Sequence, residues 1–186
     1  ILSGGKKMSK TLGNSIAIDE MIEIFGADGT RYLLLSAGYF GEDIDITLER
    51  LREKYNADLA NGLGNLVSRV LKLAEQLEQP FEPSGEQLAS PQYQAALDAV
   101  QLSQALEETM QLVRSANEYM SQEEPWKLVK EESVEAKARF QVVMRELLSR
   151  IERIAFELQP FMPDTAVKIQ TALKTGEVAP LFQRLS

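Results

Sequence analysis

Three groups of residues carry side chains whose types and spacing could do chemistry. The first is Lys7, Met8, Ser9 and Lys10, bracketed by Gly4 and Gly5 on one side and Gly13 and Asn14 on the other. Two ammonium groups three residues apart on a glycine-flanked loop can close over a polyphosphate, with backbone N–H groups and the Ser9 hydroxyl as further donors. Such a clamp helps most when charge builds on a pyrophosphate leaving group, because it then holds the transition state more tightly than the ground state. A solvated basic loop is the competing reading, and four residues alone do not choose between them. The second group is Asn65 with Arg69, one helical turn apart and beside Asn61 and Lys72. An amide and a guanidinium on one face can read the edge of an unstacked base, or can simply be a solvated polar face. The third is Pro125 with Trp126, the only tryptophan. An indole at a helix start, on a proline pivot, presents a flat face on which a base can stack, or packs as an ordinary core residue.

The types that are missing narrow the chemistry further. The chain has no histidine and no cysteine. Ser-His-Asp and Cys-His machinery, disulfides, zinc–thiolate clusters and histidine-ligated metals therefore cannot be built from these residues. No run of acidic residues has the spacing of a calcium loop, so no metal site is expected. The net charge of -8 argues against a protein that coats nucleic acid indiscriminately, yet leaves room for local recognition of a few bases. No apolar stretch is long enough to span a membrane and residues 1–10 do not read as a signal peptide, so a cytoplasmic protein is expected.

The elements that must position these groups follow from periodicity. Residues 1–14 read as a loop. Residues 19–25 form a short helix ended by Gly26, residues 27–37 a second one, and the alternation of Asp43, Ile44, Asp45 and Ile46 fits a short strand. Residues 1–46 are thus expected to be a small α/β piece. From Thr47, a plausible N-cap, Leu48, Leu51, Tyr55, Leu59, Leu63, Leu66, Val70, Leu73 and Leu77 recur at steps of three and four, the stripe of one long amphipathic α-helix. Pro80, Pro83, Ser84 and Gly85 make a linker. A second helix is expected over about 90–120 with Leu102, Leu106, Met110 and Val113 inward. Pro125 restarts a third element, and residues 133–158 form a long helix with Phe140, Met144, Leu147, Ile151, Ile154 and Leu158 inward. Pro160 and Pro163 then stop it before a last helix over 164–173. Asn117 falls on the inner side of its helix, where a hydrogen-bonded amide is expected. The fold expected is mainly α, an antiparallel helical bundle over 47–186 behind the α/β piece of 1–46.

The longer string Gly5-Lys6-Lys7-Met8-Ser9-Lys10-Thr11-Leu12-Gly13-Asn14 resembles the Lys-Met-Ser-Lys-Ser-x-Gly-Asn signature of class I aminoacyl-tRNA synthetases, with Thr11 for the usual serine. Phe25-Gly26-Ala27-Asp28, Gly41-Glu42-Asp43-Ile44-Asp45, the Tyr55 to Leu66 stretch and Pro160-Phe161-Met162-Pro163-Asp164 look like the methionyl-tRNA synthetases, and the likeness runs over essentially the whole chain. The resemblance implies a small stem-contact fold followed by a helical anticodon-binding domain. It implies that Lys7, Met8, Ser9 and Lys10 serve the ATP phosphates, and that Asn65, Arg69, Pro125 and Trp126 select the CAU anticodon of tRNA(Met). ATP, with magnesium, and methionine are then substrates of the intact enzyme, with no cofactor in this part and neither DNA nor membrane as partner. The family's nucleotide-binding fold with its His-Ile-Gly-His signature is missing, since no histidine exists here. The chain is therefore expected to be a C-terminal part that binds tRNA without catalysing adenylation. Another class I synthetase of the cysteine or leucine branch, or a tRNA-binding or interaction module without catalysis, are the alternatives.

Overall fold

Amphipathic helices close their backbone hydrogen bonds locally, so packing of their apolar faces decides the architecture. The computed structural model describes residues 2–3, 6–7, 16–38, 46–85, 89–177 and 179–186. It is mainly α, an antiparallel helical bundle. Two short strands, β1 (Leu2–Ser3) and β2 (Lys6–Lys7), pair antiparallel with Leu2 opposite Lys7 and Ser3 opposite Lys6. The strand expected from residue 43 lies, up to residue 45, outside the described residues; Ile46 beyond it is buried.

Helix α1 (Ile18–Ser36) contains both expected short helices, separated by a break at Gly26 (φ 71°, ψ 169°). That left-handed φ is available to glycine at little cost, so the break falls where a side chain would be strained. Met21, Phe25, Tyr32 and Leu33 are buried, whereas Ile22 and Leu34 are exposed.

The long leucine stripe is helical from 48 to 74, but it is not one uniform α-helix. Helix α2 (Leu48–Lys54), capped by Thr47 Oγ1 accepting from Arg50 N (3.3 Å), passes into a π-helical segment (Tyr55–Gly64) and then into α3 (Asn65–Ala74). Leu51, Tyr55, Leu59, Leu63, Leu66 and Val70 are all buried, as the stripe requires. Between Leu51 and Leu63 every step is four residues, and 4.0 residues per turn is more than the 3.6 of an α-helix. A wider turn keeps that stretch of the stripe facing inward. Polar groups from elsewhere grip the π segment. Tyr32 Oη donates to Asp58 Oδ2 (2.6 Å), which also takes Lys54 Nζ (2.8 Å). Burial, then the Asp58 carboxylate, pushes the Tyr32 hydroxyl well above the usual phenol range. The C-terminal residues return to the same segment: Asn56 Nδ2 donates to Leu185 O (2.9 Å) and its Oδ1 accepts from Leu185 N (2.8 Å), while the Phe182 ring meets Tyr55 edge-on.

The single helix expected over 90–120 is two, α4 (Pro91–Asp98) and α5 (Leu102–Glu123). Gln101 N bonds to Ala96 O (2.8 Å) and Val100 N to Leu97 O (2.9 Å), the paired bonds of a Schellman ending. Val100 takes the left-handed position usually held by glycine (φ 58°). Leu102, expected inward, opens α5 just after this turn and is exposed, while Leu106, Met110 and Val113 are buried. Helix α6 (Pro125–Leu128) starts at Pro125 as expected, and α7 (Val134–Leu158), capped by Ser133, buries all six residues read as its inner face. Helix α8 (Pro163–Thr175) closes the bundle.

Two residues of α1 satisfy the ends of other helices. Asp28 Oδ2 accepts from Thr165 N (2.6 Å), acting as the missing N-cap side chain of α8, whose own Met162 cannot. Arg31, one turn on, donates to Phe161 O (2.7 Å) and Pro160 O (2.8 Å) just past α7. A carboxylate at a helix N-terminus and a guanidinium at a C-terminus each meet the favourable pole. Glu157, fully buried, ties α4, α5 and α7 together through Ser90 N, Thr109 Oγ1 and Arg153 Nε.

Candidate nucleic-acid interface

Arg69 projects from α3, and the turn between α5 and α6 brings the indole to it. Glu124 ends α5 in the left-handed region (φ 44°, ψ 53°), and its carbonyl accepts from Lys127 N (2.7 Å), so one residue separates the end of α5 from the start of α6. Pro125 is buried as the first residue of α6, and Trp126 beside it is half-buried against the core. The Arg69 guanidinium carbon lies 4.9 Å from the Trp126 ring centroid, in cation–π contact. Fifty-seven positions apart in sequence, the two side chains meet.

Asn65 is exposed one turn before Arg69 on α3, which places both on one side of the helix. Among the described residues neither the Asn65 amide nor the Arg69 guanidinium has a hydrogen-bond or ion-pair partner. Their neighbours differ: Lys72 pairs with Glu75 (2.9 Å) and Lys127 with Glu124 (2.8 Å). The free donors on this side of α3 are thus those of Arg69, at the ring, and Asn65, one turn before it. Asn117 turns inward as expected, its Nδ2 donating to Val113 O (3.0 Å) and to Gly62 O (3.4 Å) of the π segment. It supports the helix that carries Asn65.

The structure therefore brings Arg69 against Trp126, which follows Pro125, and leaves Asn65 one turn before Arg69 on the same side of α3. Lys7 lies in β2, and Met8, Ser9 and Lys10 fall outside the described residues. Sequence reading missed Asp58 and Tyr32, which brace the π segment ahead of Asn65. Both stand in strings that resemble the family, but nothing in their spacing announced the bond between them. Among the described residues no group of three or more His, Cys, Asp or Glu side chains could hold a metal ion, and no helix is long and apolar enough to cross a membrane.

An aromatic ring, a guanidinium and an amide on one exposed face are the parts with which proteins stack on and read unpaired bases. Comparison with known proteins agrees with that class. Residues 1–71 match the family model for tRNA synthetases class I (M), and residues 72–181 match the anticodon binding domain of methionyl tRNA ligase. The chain belongs to the methionine–tRNA ligase family. The methionine–tRNA ligase of Caldanaerobacter subterraneus subsp. tengcongensis is 36% identical over 198 residues, covering 100% of this chain and 31% of that protein. That of Clostridium perfringens is 35% identical over 188 residues, covering 94% and 29%. Mycobacterium tuberculosis methionyl-tRNA synthetase bound by methionyl-adenylate superposes with a TM-score of 0.79 at 28% identity, covering 100% of this chain and 42% of that one. The chain spans about a third of the length of the curated relatives it matches. No nucleotide-binding parallel sheet occurs among the described residues.

Proposed function

We propose that this chain is the part of a methionine–tRNA ligase that recognises the CAU anticodon of tRNA(Met), with Asn65 and Arg69 reading a base edge and Trp126, fixed by Pro125, supplying the stacking surface. The observation that carries the reading is the cation–π contact of Arg69 on Trp126, with two unengaged donor groups on the same side of α3. Residues 47–186 form the anticodon-binding unit, and residues 1–46 are the end of an α/β stem-contact piece. In the intact cytoplasmic enzyme Lys7, Met8, Ser9 and Lys10 bind the phosphates of ATP, with magnesium, while methionine is activated to its adenylate. This polypeptide by itself binds the anticodon and does not catalyse adenylation.

Trp126 is the only tryptophan, so its emission reports the site directly. Titration with an RNA hairpin presenting CAU should quench it, and Arg69→Ala should weaken binding by ~1–3 kcal/mol. A hairpin presenting an unrelated triplet should bind more weakly. Unchanged emission at saturating CAU hairpin would place the RNA elsewhere. Methionine-dependent ATP–pyrophosphate exchange by the isolated chain would overturn the assignment of catalysis to residues it lacks.

A further inference from the structure

We propose that Arg69 is a placeholder on Trp126, covering the ring that the base must take and released to read the base edge only when a base displaces it. The proposal rests on the anticodon-reading assignment and adds a mechanism of selection to it. The indole is half-buried and packs on the core, which limits the ring surface open to solvent. The guanidinium lies over that ring at 4.9 Å from its centroid and has no carboxylate to hold it anywhere else among the described residues. A planar cation on an indole occupies the volume and the π-surface that a stacked base requires. A base that stacks on the face Arg69 covers must therefore displace it.

The consequence is discrimination by exchange. Any aromatic base gains the stacking energy but forfeits the Arg69–Trp126 contact. Only a base whose edge accepts hydrogen bonds from the displaced guanidinium recovers that loss. A base lacking such acceptors also leaves the guanidinium without its ring and with nothing but water. Selectivity then comes from a penalty on the wrong base as well as from bonds to the right one. Pro125 and the left-handed Glu124 fix the backbone that carries the ring, and the ring packs on the core, so in this exchange the side chain that moves is Arg69.

The experiment has two arms. In the free protein, acrylamide quenching of Trp126 should rise in Arg69→Ala, and also in Arg69→Gln, which keeps a long polar side chain without the planar cation. Unchanged quenching in both variants would overturn the placeholder, whatever the RNA does. In the second arm, two hairpins are compared: one presenting CAU, and one with the first anticodon base replaced by a nonpolar aromatic isostere that has no hydrogen-bonding edge. Arg69→Ala should weaken the CAU hairpin yet tighten the isostere by about two- to fivefold, the range expected for removing an exposed cation–π contact. Equal weakening of both hairpins would show that Arg69 never covered the ring. Failure of the unmodified protein to bind CAU hairpin would instead refute the anticodon reading, leaving the first arm to judge the contact itself.

Discussion

Replacing Glu157 should separate the energetic value of its charge from that of its shape. The carboxylate is fully buried and takes three donors: Ser90 N (3.1 Å) and Arg153 Nε (2.9 Å) on Oε1, and Thr109 Oγ1 (3.2 Å) on Oε2. Glu157→Gln keeps the volume and one carbonyl oxygen, which can stay with Ser90 N and Arg153. Its new NH2 group faces Thr109, whose hydroxyl hydrogen can turn to Ala105 O, already 3.3 Å away. Each of the three original donors keeps an acceptor, so the main loss is the charge. Bonds to a charged group contribute ~1.5–3 kcal/mol against ~0.5–1.5 for neutral ones, and a lighter desolvation cost returns part of the difference. A net loss of ~1–2 kcal/mol is expected for Gln. Glu157→Ala takes the acceptor from Ser90 N and the carboxylate from Arg153 and opens a cavity where three helices meet, for ~3–5 kcal/mol. Urea denaturation followed by far-UV circular dichroism reads both. In thermal melts each kcal/mol should move Tm by ~2–4 °C for a chain of this size. A Gln variant as stable as the original would show that the charge contributes nothing, and an Ala variant no worse than Gln would show that the three donors are not joined there.

Two further outcomes follow from the backbone and the buried phenols. Val100 is exposed and left-handed, so Val100→Gly relieves strain without losing packing and should raise stability by ~0.5–1 kcal/mol after the entropic cost of glycine, whereas Ala99→Gly next to it should lower it. A Val100→Gly loss equal to that of Ala99→Gly in chemical denaturation would contradict the turn geometry. Burial, then the nearby Glu157 charge, pushes the Tyr93 hydroxyl up to about 12 from 10.0. A folded value above the unfolded one means that stability is complete below pH ~10 and is lost as pH rises toward 12. Tyr93→Phe should flatten that alkaline decline in pH-dependent denaturation, and an unaltered slope would refute it.

The helices were legible because their signals are local. Thr47, Ser90 and Ser133 each accept from a backbone N–H three residues on, the capping geometry that Ser and Thr favour. The apolar faces of 133–158 and of the leucine stripe came directly from periodicity. The break at Val100 was hidden because neither glycine nor proline marks it; the paired bonds that close α4 are satisfied by a β-branched residue against its preference. The π segment was half-visible, since four-residue steps from Leu51 to Leu63 overrun an α-helical turn, but a count of threes and fours taken together concealed it. The candidate site was legible only by resemblance. Nothing in local spacing tells Arg69 that Trp126 will lie over it, because that contact is made by the turn at Glu124 and by the packing of α3 and α6 on the common core. Asp28 with Thr165 and Arg31 with Pro160 are equally remote in sequence, 137 and 129 positions apart.

Those two α1 contacts bear on how such proteins can be recombined. The two family matches meet at residue 71, inside α3, two residues after Arg69 and well before Trp126. Asp28 and Arg31 lie in the first match, whereas the helix ends they satisfy lie in the second. A chimaera that swapped one matched region for that of a relative would divorce the guanidinium from its indole and leave two helix termini dependent on foreign side chains. The border drawn by descent is therefore not a place where this molecule can be cut.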